Sequence, residues 1–452
     1  MKKLFALLLA VAMVLSMAAC ASSTDNTTAT SAPATTEAGE TTAASEATEA
    51  EGGSVYYLNF KPEFNDALQE LAKTYTEKTG VEVKVVTAAS GQYNDTLTAE
   101  MAKSSAPTIF NIGNMAALND WDEYALDLTG SAITNELNTD TFNLYNAAGE
   151  LKAIPNCYES YGIIVNTKLL EQAGHSVDEI KDFESLKAVA DDIHARASEL
   201  GFDAFSSAGL DGSSSWRFSG HLLNLPLYYE FRDDNVTDTP ATLKGTYMDN
   251  FKNAWDLYIT DSAADATTLS TATGDESLAE FTSRKAAFYQ NGTWAYADLM
   301  AGGMTDDELQ MIPIYCGVDG EEQAGLCSGT ENCWAINSHA SEADQKASID
   351  FLVWLVTDPD ASATYVAQLG AVPFKNCPAS DNKFIVDGNK LLSEGKYAVT
   401  WAFNYTPNVD SFRATLVTAL TAYSADPTDA NWQQVVSAVV DGWAIEYNTV
   451  NG

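Results

Sequence analysis

Strands and helices alternate along the segment 55–112, and this alternation constrains the fold more than any other feature of the chain. Apolar residues recur at helical spacing after Pro62, a residue favoured in the first turn of a helix, and Gly80 supplies a left-handed end to that helix. Valines then alternate with polar residues, as they do in a half-buried strand. The predicted elements are a strand at 55–60, a helix between Pro62 and Gly80, a strand at 81–85, a helix at 93–102 and a strand at 108–112.

This β-α-β-α-β order predicts a parallel sheet with right-handed crossovers. Ligands of such sheets bind beyond the carboxyl ends of the strands. The first candidates for a binding surface are therefore the loops at Lys61, at 90–93 and at Asn114. Apolar stripes at 183–200 and 432–443 predict two further helices that pack against a core.

Length and charge limit the possible functions. The chain has 452 residues, 46% of them hydrophobic and 10% aromatic, which is enough for two globular lobes or domains. The net charge of −39 argues against nucleic acid as a partner and against direct adsorption to anionic lipid, because both need a basic surface. No Asp-rich loop with the spacing of a calcium site is present.

The first twenty residues have the pattern of a secretory signal. Lys2 and Lys3 precede an apolar run at 4–17, which is too short for a membrane-spanning helix of ~20 residues. The run ends in Met17-Ala18-Ala19-Cys20, which resembles a bacterial lipobox with methionine in the usual place of leucine. An ordinary signal peptide with a chance cysteine is the alternative.

We therefore expect 1–20 to be a lipoprotein signal peptide and Cys20 to be lipidated. The segment 21–53 is rich in Ala, Thr, Ser and Glu and lacks aromatic residues. Such a composition cannot bury enough apolar surface to order itself, so it predicts a disordered tether that holds the folded body off the membrane.

Cysteine and histidine patterns point to no catalytic or metal site. The four histidines fit no metal-ligand spacing, and no zinc, nucleophile-elbow, dinucleotide or P-loop motif is present. We expect no enzyme activity, no cofactor and no metal, although paired carboxylates for glycoside hydrolysis stay open in a chain with 63 acidic residues. The redox state and pairing of the other cysteines also stay open; these are Cys157, Cys316, Cys327, Cys333 and Cys377.

Seven blocks, in order, resemble the family of extracellular solute-binding proteins that serve ABC importers of sugars, of which the maltodextrin-binding protein is a member. The clearest block, 281–294, is similar to the family pattern F-x-x-G-K-A-A-M-x-x-x-G-x-W. Two blocks depart from the pattern, with Thr108 in place of aspartate and Val165 in place of tyrosine. The other blocks are 77–83, 106–110, 154–170, 183–186, 328–352 and 370–373.

The resemblance implies a two-lobed α/β fold of the type II periplasmic-binding-protein kind, in which each lobe is a mostly parallel sheet flanked by helices and a hinge joins them. Lobe I would comprise 54–157 and 317–366, and lobe II 158–316 and 367–452. A carbohydrate would bind in the cleft of a monomer, which would deliver it to the permease subunits of an ABC transporter. The protein would sit on the outer face of the membrane of a monoderm bacterium.

The resemblance also implies site residues. Glu159 matches a hinge-proximal acid that binds sugar hydroxyls, and Trp216 and Trp294 match rings that stack on sugar. Asn114 follows the third strand, where the family has a polar ligand group. The remaining candidates are Arg217, Tyr158, Tyr161, Gly329, Thr330, Phe412 and Arg413. For each candidate the alternative is a packing or solvated role.

Two other functions stay open at this stage. The same fold would bind a polyamine, a peptide or a metal chelate if its cleft were strongly charged instead of lined by tryptophan. An anchored glycan-processing enzyme is the second alternative, and the missing catalytic motifs argue against it.

Overall fold

The computed structural model describes residues 52–140, 142–331 and 333–452, so Cys20, the expected signal peptide and nearly all of the expected tether lie outside the described residues. The first part of the chain contains the expected alternation. Its strands are β1 (Val55–Asn59), β2 (Val83–Thr87), β3 (Ile109–Ile112), β4 (Leu144–Tyr145) and β5 (Leu151–Pro155), and its helices are α1 (Asn65–Thr79), α2 (Tyr93–Met101) and α3 (Met115–Trp121).

The middle of the chain begins with the longest strand of the protein's described part, β6 (Glu159–Asn166). A π-helical segment, Arg217–Leu222, precedes the helix Asn224–Asp234. The other strands are β7 (Asp203–Phe205), β8 (Ala286–Gly292), β9 (Leu309–Ile312) and β10 (Ala324–Gly329); the helices are α4 (Thr167–Ala173), α5 (Phe183–Ala195), α6 (Ala197–Leu200), α7 (Asn224–Asp234), α8 (Met248–Thr260), α9 (Gly274–Thr282) and α10 (Tyr296–Ala301).

The last part of the chain is mainly helical and ends in two long helices that pack against each other. None of the helices in the described ranges is both long and apolar enough to cross a membrane. The elements are β11 (Cys333–Ile336), α11 (Glu342–Thr357), α12 (Pro359–Leu369), α13 (Lys383–Ser393), β12 (Tyr397–Thr400), α14 (Val409–Ala425) and α15 (Asp429–Asn451).

The strands form two sheets, each with its own apolar core. The first has the order β2-β1-β3-β11-β5-β4, and the second the order β12-β10-β6-β8-β7, with β9 paired to β6. In the first sheet β1 is parallel to β2 and β3, as the sequence predicts, while β11 is antiparallel to β3 and β5. In the second sheet β6 is antiparallel to β8, β9 and β10. Both sheets are therefore mixed, and the expectation of mostly parallel sheets is corrected.

The sheets divide the chain differently from the expected lobe bounds. Strand β10 falls in the range assigned to lobe I, yet Gly329 pairs with Glu159 in the second sheet. The chain returns to the first sheet only at Cys333. Conversely, Leu369 and Phe374 belong to the core of the first lobe, although 367–452 was assigned to lobe II. Long-range strand pairing decides which lobe each segment belongs to, and short sequence patterns do not contain that information.

Local sequence explains where helices begin and end. Gly80 has φ +79° at the end of α1, a conformation that glycine adopts without a Cβ penalty. The expected helix at 183–200 is instead two helices, because the backbone of Arg196 (φ −107°, ψ 10°) leaves the helical region between α5 and α6. The stripe of Trp432, Val435, Val439 and Trp443 faces the second core, as predicted.

Candidate functional site

A cavity of about 740 Å³ lies between the two sheets and is lined from both of them. From the first lobe, its walls are the loops that follow β1, β2 and β3, which include Lys61, Gly91 and Asn114. These are the three loops predicted from the order of strands. The carboxyl ends of adjacent parallel strands meet at one edge of a sheet, so side chains far apart in sequence converge there.

Aromatic rings from the second lobe form the opposite wall. His221 lies at their centre: its ring stacks on Tyr161 at 4.0 Å and lies 5.1 Å from Trp216 and 5.4 Å from Trp294. Phe403 lies 5.4 Å from the same imidazole. Trp216 and Trp294 are only partly buried and line the cavity, so their faces are available to a ligand.

Two glycines make room for the rings of this wall. A Cβ on Gly292 would lie 2.2 Å from the Trp294 ring, and a Cβ on Gly329 would lie 2.6 Å from the ring of Trp401. A side chain at either position would force these rings to move. Gly329 therefore makes room for the Trp401 ring, whereas the resemblance implies a ligand contact at this residue.

An ion pair joins the lobes at the closed end of the cleft. Lys61 Nζ lies 2.5 Å from Glu159 Oε1 and 3.1 Å from Glu63 Oε1. Lys61 and Glu159 are each only 6% exposed at the side chain. Burial alone lowers the pKa of Lys61, but the carboxylates of Glu159 and Glu63 outweigh it and raise that pKa well above the usual value. The lysine therefore stays charged.

The lobes also meet near the mouth of the cleft. Asn94 Nδ2 on α2 donates a hydrogen bond of 2.7 Å to Asp410 Oδ2 on α14. Helix α3 also contacts the segment Ala402–Tyr405 across the cleft. Both groups of contacts link parts of the chain that are held by different sheets, so they depend on the relative position of the lobes.

Several buried polar atoms of the lining have no hydrogen-bond partner among the described residues. They are both amide atoms of Asn111, Nδ1 of His221 and Nε1 of Trp401. These side chains are 3%, 6% and 5% exposed. A buried polar atom without a partner destabilises a fold by about 1–3 kcal/mol, so these residues of the cavity lining are candidates to pair with the polar groups of a ligand.

Electrostatics keep the imidazole neutral. Burial lowers the pKa of His221 well below its usual value, and the nearby guanidinium groups of Arg413 and Arg217 lower it further. A neutral imidazole has one donor and one acceptor nitrogen, which suits a hydroxyl group. Arg413 lines the cavity and donates from Nε to Ser219 Oγ at 3.2 Å.

Glu331 enters the cavity from the segment that crosses between β10 and β11. Burial raises the pKa of its carboxyl group to about 7; Arg413 and Lys61 oppose this shift, and Glu159 and Asp410 add to it. No described residue donates a hydrogen bond to this carboxyl group. The four charged groups named above act on it only through longer-range electrostatics. Among the described residues, no group of His, Cys, Asp and Glu side chains has the geometry of a metal site.

Five of the residues expected from the resemblance line this cavity: Asn114, Glu159, Trp216, Trp294 and Arg413. The side-chain oxygen of Asn114 already accepts the N–H of Ala117 at 2.9 Å, as the N-cap of α3. The amide nitrogen of Asn114 is its remaining polar atom for a ligand.

The other expected residues do not line the cavity. Arg217 is 2% exposed and donates to Ser214 Oγ, Ser277 Oγ and the carbonyl oxygens of Ser207 and Gln290, so it braces the loop below Trp216. Tyr161 supports His221 from beneath. Of the remaining four, Gly329 is described above and Tyr158 pairs with Ala371 at the hinge. The carbonyl of Thr330 accepts a hydrogen bond from Asn404, and Phe412 packs on Trp443.

Sequence patterns did not indicate several lining residues. His221, Trp401 and Phe403 carry no periodicity or motif that marks them, and Glu331 lies inside the block 328–352 without being singled out by the resemblance. Lys61 lies in a predicted loop, but nothing in the sequence pairs it with Glu159, 98 residues later. Long-range geometry alone brings these groups together.

A mixed sheet in each of two lobes, with a cleft of convergent rings and polar groups between them, defines a two-lobed binding protein. The model of the bacterial extracellular solute-binding proteins matches residues 70–387, and the chain belongs to that family. The family is extracellular, so the protein acts outside the cytoplasm.

Solved structures with the same fold include sugar-binding proteins. RafE in complex with raffinose is 16% identical and has a TM-score of 0.69, with 88% of this chain and 100% of RafE covered. GacH of Streptomyces glaucescens, also solved with acarbose, is 20% identical with a TM-score of 0.65 and coverage of 88% and 99%. A sugar transporter protein of Bacillus licheniformis in complex with stachyose is 14% identical with a TM-score of 0.65 and coverage of 87% and 100%. None of the curated proteins compared with the chain matches it.

Proposed function

We propose that this protein captures a carbohydrate outside the cell and delivers it to the permease of an ABC transporter. The observation that carries the proposal is the composition of the cleft: tryptophan faces on one wall, and buried polar atoms without protein partners among them. Aromatic faces cover the C–H surfaces of a sugar ring, while amides, imidazole and guanidinium pair with its hydroxyls. The raffinose, acarbose and stachyose complexes of similar structures support this assignment.

The size of the cleft suits a short oligosaccharide. Ligand pockets generally enclose about 300–1,000 Å³, and this cavity of about 740 Å³ lies within that range. The mouth is bounded by the Asn94–Asp410 contact, which must open to admit a ligand. Capture therefore requires the lobes to separate and close again around the hinge.

A thermal-shift and calorimetric screen tests carbohydrate binding. Purified protein is titrated with mono-, di- and trisaccharides, and the bound sugar is recovered and chromatographed after long incubation. We expect a concentration-dependent rise in melting temperature and an intact sugar. A spermidine, oligopeptide and metal-chelate panel is the comparison: binding of one of these without any sugar would replace the proposal by a non-sugar solute.

Recovery of the sugar also tests the enzyme alternative. Glu159 and Glu331 are two carboxyl groups in one sugar-sized cavity, and glycosidases work with such pairs. The Lys61 ammonium on Glu159 and the raised pKa of Glu331 would fit a base and an acid. Steady hydrolysis that stops in a Glu331→Gln variant would therefore favour the enzyme.

We also propose that Cys20 carries the lipid that holds a monomeric receptor on the outer membrane face, with 21–53 as its tether. A Cys20→Ser variant should be released from cells or remain unprocessed. Fractionation of cells that express Cys20→Ser and Cys377→Ser side by side provides the matched control, since Cys377 is a cysteine of the folded body. A Cys20→Ser protein that is processed and membrane-bound like the wild type would contradict the anchor.

A further inference from the structure

We propose that the ligand is an amine-bearing saccharide and that Glu331 is the carboxylate that pairs with its ammonium group. This inference rests on the proposed function and specifies its ligand class. It joins two properties of the cleft that otherwise point to different ligands. The rings and the unpartnered Asn111, His221 and Trp401 atoms suit a sugar, and the charge of the lining suits a cation.

The charge of the lining is strongly one-sided. Six carboxyl side chains face the cavity against two basic ones, Lys61 and Arg413. Lys61 is already neutralised by Glu159 and Glu63, at 2.5 and 3.1 Å. Arg413 is thus the one base among the lining residues that is not in a close ion pair. The lining contains four acids besides Glu63 and Glu159. These are Asp95, Asp120, Glu331 and Asp410.

Among these four acids, Glu331 is the best placed to bind a cationic group of a ligand. Asp95 and Asp120 are exposed, so solvent screens their charges. Asp410 accepts the hydrogen bond from Asn94 that links the lobes. Glu331 is partly buried, comes from the crossing segment near Gly113 at the end of β3, and receives no hydrogen bond from the described residues.

A ligand ammonium would compensate the cost of ionising this carboxyl group. Ionisation is opposed by burial and by the negative charges of Glu159 and Asp410, against the favourable charges of Arg413 and Lys61. A charge-assisted hydrogen bond at this position is about twice as strong as a neutral one. A uronate or sulfated sugar would instead meet an acidic lining, and we expect it to bind more weakly than the neutral sugar.

The test compares saccharides that differ at a single substituent. Calorimetry at pH 7.0 measures gluco-, galacto- and manno-configured mono-, di- and trisaccharides in neutral form, with an amine at C2, C3 or C6 in turn, and with a uronate. We expect at least one amine to bind about tenfold more tightly than its hydroxyl counterpart, the usual contribution of an ionic hydrogen bond. Lowering the pH to 5.5 should remove that preference, because Glu331 takes up a proton as the pH falls through about 7.

Variants assign the preference to one carboxyl group. Glu331→Gln should abolish the amine preference, so that within this variant the amine and its neutral hydroxyl counterpart bind with affinities that agree within a few-fold. Glu77→Gln makes the same change on the exposed surface of α1, away from the cavity, and should leave the preference intact.

The outcomes separate the two proposals. Neutral sugars that bind as tightly as every amine would overturn this inference and leave the sugar receptor standing. A preference that survives Glu331→Gln would overturn the assignment to Glu331. Binding of spermidine with no saccharide of any series would overturn both this inference and the proposed function.

Discussion

Replacing Lys61 should lower the free energy of unfolding much more than replacing its ion-pair partner Glu159. The 2.5 Å separation corresponds to a gross attraction of about 7 kcal/mol at an effective dielectric constant of about 20, from which the desolvation of both ions must be subtracted. Lys61→Met removes the cation and leaves a buried carboxylate that is 6% exposed. Breaking a buried pair in this way costs about 3–5 kcal/mol of unfolding free energy.

The opposite substitution should be milder. Glu159→Gln leaves Lys61 with Glu63, whose Oε1 lies 3.1 Å away, so the lysine keeps a counter-ion. We expect a loss of about 1–3 kcal/mol, the range for one buried polar group left without its partner. The double variant, Lys61→Met with Glu159→Gln, should be more stable than Lys61→Met alone by about 2 kcal/mol, since it contains no uncompensated buried carboxylate.

Urea unfolding followed by tryptophan fluorescence measures these differences. The gap between wild type and Lys61→Met should still be present at pH 9, because the raised pKa of Lys61 makes its contribution complete below about 10.5 and lost only at higher pH. Lys78→Met is the control: that lysine is in an exposed pair with Asp358 at 2.8 Å, worth about 0–1 kcal/mol. Equal, small losses in Lys61→Met and Lys78→Met would refute the reasoning.

Three further predictions concern the cleft. Trp216→Ala and Trp294→Ala should each weaken binding of the cognate sugar by about 1–3 kcal/mol by calorimetry, whereas Tyr145→Ala, an exposed ring outside the cavity, should not. Gly329→Ala should lower affinity because its Cβ would lie 2.6 Å from the Trp401 ring and displace it. Unchanged ring contacts and affinity in that variant would show that Gly329 is not needed to position Trp401. The cognate sugar should reduce the radius of gyration in X-ray scattering, and Glu159→Ala should weaken this compaction; an identical profile with and without sugar would argue against closure.

Local patterns in the sequence were sufficient for the opening β-α-β-α-β unit of the first lobe. The order of β1 to β3, the end of α1 at Gly80 and the loops at Lys61, Gly91 and Asn114 follow from periodicity and backbone preference, which neighbouring residues determine. The rule that ligands bind at the carboxyl ends of parallel strands then predicts one wall of the cleft from sequence alone.

The resemblance indicated Trp216 and Trp294 of the second wall, but sequence could not place its other rings. His221, Trp401 and Phe403 come from the π-helical segment and from the connection after β12, which are separated by nearly 180 residues. The same limit explains the lobe bounds. Strand β10 is as apolar as a strand of either sheet, and only its pairing with β6 assigns it to the second.

The division of the cleft between the lobes explains why binding and closure must be linked. The second lobe carries Trp216, Trp294 and Trp401, whereas the first carries Asn111, Asn114 and Lys61. A ligand on the open protein can contact only one of these sets, and the closed protein presents both. The free energy of the second set is therefore available only to the closed form, and this difference is what allows a ligand to shift the equilibrium. The Asn94–Asp410 contact belongs to the closed arrangement, so Asn94→Ala should weaken sugar binding by favouring the open form. The loss should appear as a larger fraction of open protein in scattering at equal sugar occupancy, and a variant that binds and compacts like the wild type would show that closure does not use this contact.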